Sequence, residues 1–74
     1  MITIPTSVLE RTDVYAIGKM ILAVLLEHPV TTSSAVARRL RMNRKTVLST
    51  MKQMRERGVI TTTRTGAKWR HEVV

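Results

Sequence analysis

The sequence predicts a small, mainly α domain of three helices with a small β-hairpin. Three observations carry this. Apolar residues recur at helical spacing in three successive stretches, the period switches to alternation after Gly58, and 74 residues leave room for one domain. A chain of this size buries only about 60% of the surface it exposes when unfolded. With no cysteine, the core must come from aliphatic side chains; Phe is absent, and Tyr15 and Trp69 are the only aromatics.

Residues 1–12 read as an N-terminal arm. Ile2 and Ile4 alternate around Thr3 as in a short extended segment, which Pro5 confines to an edge. Thr6 or Ser7 can equally cap a turn of helix through Val8 and Leu9. The domain proper covers 13–74. Its first helix, about 13–27, takes Thr12 or Asp13 as N-cap and gathers Val14, Ile17, Ile21, Val24 and Leu25 on one face. His28-Pro29 ends it, because proline disfavours helical backbone at the residue before it. Tyr15, Leu22 and Leu26 make the apolar stripe wider than one core face needs, so a second element or a second subunit is expected there.

The polar run Thr31–Ser34 suits a loop, with Thr32 capping a helix over 33–40. Val36, Ala37 and Leu40 form its apolar side, and Arg38 and Arg39 point outward. Arg41-Met42 is a turn with Met42 inward. Asn43 caps a third helix, about 44–57, whose buried stripe is Val47, Met51 and Met54; Gly58 stops it. Arg55 and Arg57, close to its end, suit the negative pole of the helix dipole. Val59–Thr63 is rich in β-branched residues, Arg64-Thr65-Gly66-Ala67 reads as a turn, and Trp69, His71 and Val73 alternate with Lys68, Arg70 and Glu72. This is a hairpin over about 59–73 with a basic tip, and Trp69 is expected to cap the core where it folds back.

Charge is distributed unevenly. The formal net charge is +8, yet residues 1–35 are close to neutral, while Val36–Arg70 holds eleven Lys and Arg against the single acid Glu56. Such an asymmetry points to a surface for a polyanion. Catalysis needs convergent titratable groups, and here the five acids are scattered and no glycine-rich phosphate loop is present. His28 and His71 are too distant and too poorly accompanied to suggest a metal. No enzyme activity, cofactor or small-molecule ligand is expected. The longest apolar run, Met20–Leu26, is too short to span a bilayer, and Met1–Thr12 lacks the basic head of a leader. The expectation is a soluble cytoplasmic protein, associated with a nucleoid or working in a host cytoplasm.

The stretch Val30–Val47 resembles the helix-turn-helix of winged-helix repressors. It has a capped helix with small Ala37, a tight turn, a polar cap at Asn43 and apolar Val47 as the fourth residue of the next helix. Met54–Ile60 is similar to the segment that ends that helix and opens the wing. The likeness spans about residues 13–74, and departs from the pattern at Arg41, where the turn often holds Gly. It implies a three-helix winged helix-turn-helix fold and a double-stranded DNA partner. The major groove admits one α-helix, whose N-terminal residues face base edges. On that basis Asn43, Arg44, Lys45, Thr46 and Ser49 are the candidate base readers. Thr32, Ser33, Arg38, Lys52 and Gln53 are candidates for the backbone. Arg64, Lys68 and Arg70 on the wing would reach the backbone or the minor groove. The implied function is sequence-specific binding by a small transcriptional regulator, a repressor of bacterial, phage or plasmid type. The alternatives are a DNA-binding component of replication, partition or recombination, or a winged-helix protein-interaction module. RNA is a minor further option. A homodimer is expected from the wide apolar face of the first helix and the apolar arm.

Overall fold

The computed structural model describes residues 3–74; Met1 and Ile2 of the expected extended segment lie outside them. The elements are α1 (Thr6–Leu9), α2 (Ala16–Glu27), α3 (Ser33–Leu40), α4 (Arg44–Glu56), β1 (Ile60–Thr65) and β2 (Lys68–Val73). The fold is therefore mainly α with one antiparallel hairpin, as the sequence predicts, plus a one-turn helix in the arm. Thr3–Pro5 is irregular, so the arm follows the helical reading rather than the extended one. It is not detached: Val8 is buried in the main core and Ile4 packs against it.

α2 begins at Ala16, not at residue 13, with Tyr15 as an N-cap that makes no side-chain cap bond. The expected caps Thr12 and Asp13 do not serve. Arg11 takes the Asp13 carboxylate in two hydrogen bonds, from Nε at 2.9 Å and from Nη2 at 2.7 Å. The same guanidinium donates from Nη1 to the Val74 carbonyl at 2.9 Å, tying the start of the domain to the end of β2. The ion pair holds the Asp13 carboxyl below its usual range, chiefly through the Arg11 hydrogen bond, and raises Arg11.

α3 and α4 start as the sequence indicates. Thr32 Oγ1 accepts from the Ala35 amide at 3.1 Å, and Asn43 Oδ1 accepts from the Lys45 amide at 2.8 Å. Both helices also end in the same bond pair. The Met42 amide donates to the Ala37 carbonyl and the Arg41 amide to Arg38; the Val59 amide donates to Met54 and the Gly58 amide to Arg55. This is the Schellman arrangement, which needs one left-handed residue. Gly58 supplies it at φ 74°, and Arg41 supplies it at φ 54°. The family's turn geometry is thus kept without its usual glycine, at a backbone cost of roughly 1–2 kcal/mol.

β1 and β2 pair antiparallel from Ile60↔Val73 to Thr65↔Lys68, leaving Gly66-Ala67 as a two-residue turn. Gly66 has φ 62° and Ala67 is not in the positive region, the pattern of a type II′ hairpin turn. The inner edge of β2 is also paired. Val30 bridges Arg70, the Thr31 amide donates to the Trp69 carbonyl at 3.2 Å, and the His71 amide donates to the Pro29 carbonyl at 2.7 Å. The sheet itself has two strands, and Val30 adds an isolated bridge to the edge of β2 away from β1.

One core joins these layers. Val8, Ile21, Leu22, Val24, Leu25, Val36, Ala37, Val47, Met51, Met54, Val59 and Ile60 form a single buried cluster. The wide apolar face of α2 is largely absorbed within the chain, since Leu22 is fully buried and α2 packs against α1, α3, α4 and β2. Tyr15, Ile17 and Leu26 remain exposed.

Candidate nucleic-acid interface

α4 turns Val47, Met51 and Met54 inward. At about 100° per residue the opposite stripe is Lys45, Ser49, Lys52 and Glu56, all exposed. The cations occupy the N-terminal part of this stripe and Glu56 its far end. Thr46 is exposed one position round, where its carbonyl accepts from Thr50 Oγ1. Asn43 Oδ1 is used by its own cap bond. α3 lays its N-terminus alongside: Thr32 is occupied as the cap, Ser33 is half-buried, and Arg38 is exposed on the outer side.

A cleft of about 640 Å³ separates the start of α3 and one flank of α4 from the hairpin. Arg44, Leu48 and Arg55 supply the α4 flank, Met51 the floor, and Thr62, Trp69 and His71 the hairpin side. Arg44 does not project straight outward from the helix end. Its Nε donates to Ser34 Oγ at 2.8 Å, which fixes the guanidinium at the mouth of the cleft. Gln53 stands apart from these residues. It lines a small hollow on the other flank with Tyr15, Ile17 and Thr50. The structure thus groups Lys45, Ser49 and Lys52 on one stripe and Arg44 on the cleft, but does not bring Gln53 to either.

On the hairpin, Lys68 is exposed beside the turn, Arg70 pairs with Glu72 at 2.8 Å, and Arg64 donates from Nε to the Gly66 carbonyl. The Arg64 guanidinium lies 5.4 Å from the Trp69 ring centroid, in cation–π range. Trp69 is 43% exposed, so it does not cap the core as the alternation suggested. Its pair Arg64↔Trp69 is the second from the turn. Two strand positions further on, His71 is buried instead. Its Nε2 lies 3.2 Å from the Thr31 carbonyl and its Nδ1 2.9 Å from Thr62 Oγ1. The Thr31 carbonyl can only accept, so Nε2 carries a hydrogen, and the Thr62 hydroxyl can serve Nδ1 as donor; a neutral ring protonated at Nε2 therefore satisfies both contacts. Burial holds its pKa below the ordinary histidine value; the Thr31 carbonyl opposes this shift and the Arg55 charge adds to it.

The family model for winged helix-turn-helix DNA-binding domains matches residues 16–61. The chain belongs to that family. α3 and α4 form its helix-turn-helix, and the hairpin takes the place of the wing. The match stops just inside β1, so most of the wing is defined by the structure rather than by the family pattern. No curated protein and no solved structure matches the chain. Among the described residues no helix is long and apolar enough to cross a membrane. Two cleft residues, Arg55 and Trp69, were assigned structural roles from the sequence. Arg44, Leu48 and Arg55, at i, i+4 and i+11, share one helix flank, a signal that was present in the spacing.

Proposed function

We propose that this protein is a sequence-specific double-stranded DNA-binding regulator that acts by occupying its site, as a small repressor does. The observation that carries this reading is the cationic stripe Lys45–Ser49–Lys52 on the exposed face of the recognition helix, flanked by the start of α3 and by a basic wing. The N-terminal half of α4 enters the major groove, where Lys45 donates to guanine O6 or N7 and Ser49 to either base type. Arg44, held by Ser34, works at the groove edge, and Asn43 and Thr46 border it. The α3 N-terminus, with Thr32 and Ser33, takes a phosphate on its free amide groups, because the first amides of a helix have no partner within it. Arg38 and Lys52 add backbone contacts, and Arg64, Lys68 and Arg70 place the wing on the backbone or in the minor groove. Gln53 joins the backbone set only where the duplex bends toward α2. No cofactor takes part, and the site of action is intracellular, with the DNA.

A single copy makes few base contacts, and two copies on half-sites one helical turn apart would multiply them. Exposed Tyr15 and Ile17 at the start of α2 support a homodimer. Sedimentation at micromolar concentration checks it; monomer alone removes the dimer without touching the DNA reading.

The test of the function is salt. With about 6–10 phosphates neutralised, affinity for a genomic fragment selected by the protein drops by about 10³–10⁵ between 50 and 200 mM salt. Affinity indifferent to salt overturns the reading.

A further inference from the structure

We infer that Ser34 is a specificity-determining residue that acts through Arg44, holding its guanidinium against α3 and off the base-facing stripe of α4. The inference rests on the DNA-binding reading and deepens it by naming the cation that is withheld from the bases. Arg44 is the first residue of α4, directly after the Asn43 cap. Residues at that end of a helix in the major groove face base edges, and an arginine there can pair with guanine O6 and N7. At about 100° per residue Arg44 is one step round from Lys45, so its backbone position alone leaves the stripe within reach of so long a side chain.

The side chain takes the other direction. Its Nε donates to Ser34 Oγ at 2.8 Å, a bond between two helices and across ten positions of sequence. The charged donor makes it stronger than a bond between neutral groups. Both ends are anchored. Ser34 is half-buried in the first turn of α3, which Thr32 caps, and the Arg41-Met42 turn fixes how α4 leaves α3. Arg44 therefore lines the cleft with Ser34 and Leu48, apart from Lys45, Ser49 and Lys52. Nothing stronger competes for it: no acid lines the cleft, and among the described residues the ion pairs are Arg11–Asp13 and Arg70–Glu72. One hydroxyl oxygen thus decides the direction of a full charge. With Nε engaged, the guanidinium keeps the N–H groups of both terminal nitrogens, enough for a phosphate at the groove edge. Wild-type Arg44 accordingly adds affinity without base preference, and Lys45 and Ser49 do the reading.

Site selection from a randomised duplex library, with the full chain, tests this. Ser34→Ala removes the oxygen and leaves the Thr32 cap in place, so α3 is kept. It is expected to gain preference for a guanine at one position beside the wild-type site, by about 5- to 150-fold, the range of one bidentate arginine–guanine pair. Adding Arg44→Gln is expected to abolish the gain, and Ser34→Thr, which retains the hydroxyl, to keep the wild-type profile. In the wild-type background Arg44→Gln should weaken all sequences alike. A Ser34→Ala profile identical to wild type overturns the inference, as does a gain that survives Arg44→Gln or is shared by Ser34→Thr; each leaves the DNA-binding reading intact. Loss of a wild-type preference at one base pair in Arg44→Gln also overturns it, because Arg44 would then already read that base. If neither wild type nor Ser34→Ala binds any duplex, the DNA-binding reading itself falls, and this inference with it.

Discussion

α2 and α4 are almost equal in length, twelve and thirteen residues, and use their surfaces in opposite ways. α2 buries five consecutive residues, Ile21 to Leu25, because α1, α3, α4 and β2 surround it. α4 buries only Val47, Met51 and Met54 and leaves the rest of its surface, Leu48 apart, to charged and polar side chains. One helix is held by its own chain around most of its middle, whereas the other is held along one stripe and turns the rest of its surface outward. On the proposed reading, stability and recognition fall to different helices, and substitutions should separate them.

The largest expected effect is on α2. Ile21→Ala removes a fully buried side chain and should cost about 2–5 kcal/mol in urea unfolding. That is a large part of the ~4–11 kcal/mol total implied by ~0.05–0.15 kcal/mol per residue. The fraction still folded should keep its DNA preference; a changed preference would break the division between the helices. Next in size is Lys45→Ala on α4. Being exposed, it should move stability by less than ~0.5 kcal/mol, yet lose about 1–3 kcal/mol of discrimination at one base pair in competition against point-substituted sites. Uniform weakening across all sequences would make Lys45 a phosphate contact instead.

The smallest effect sharpens the boundary between the two roles, where His71 is at once core and cleft wall. Its folded pKa is lowered, so the unfolded chain binds a proton more readily. The stability this neutral ring contributes is complete above the ordinary value of 6.5 and declines as pH falls from there through the lowered folded value. Urea midpoints taken between pH 7.5 and pH 5 should fall over that window, and His71→Gln should flatten the decline.

Signals confined to a few neighbouring residues were readable in the sequence. Thr32 and Asn43 as caps, Gly58 as a stop and Gly66 in the turn all act through bonds to residues close by, and α3 and α4 follow them closely. The start of α2 was not readable, because Asp13 is diverted by Arg11, which is in turn held by Val74 sixty-three positions away. The Val30 bridge exists only through its pairing with β2. Alternation on β2 grouped Trp69 with His71 and Val73, but could not show that His71 is buried against Thr31 and Thr62 while Trp69 faces an open cleft. For the interface, spacing put Lys45, Ser49 and Lys52 on the side of the third helix away from its core stripe, and the resemblance added Asn43, Arg44 and Thr46 at its start. Neither could show what faces the Arg44–Arg55 flank, since Ser34 and Trp69 come from other elements.

β2 is the last element of the fold, yet it is paired on both edges, to β1 and through the Val30–Arg70 bridge. The helices close over short sequence separations, but His71 must return across forty residues to reach Thr31. Closing so long a loop loses chain entropy before the contacts that offset it are made. Helical hairpins should therefore assemble early in folding and the inner edge of β2 dock late. During synthesis α4 is made before the hairpin that walls the cleft beside it, and the cleft can close only once residue 73 has left the ribosome.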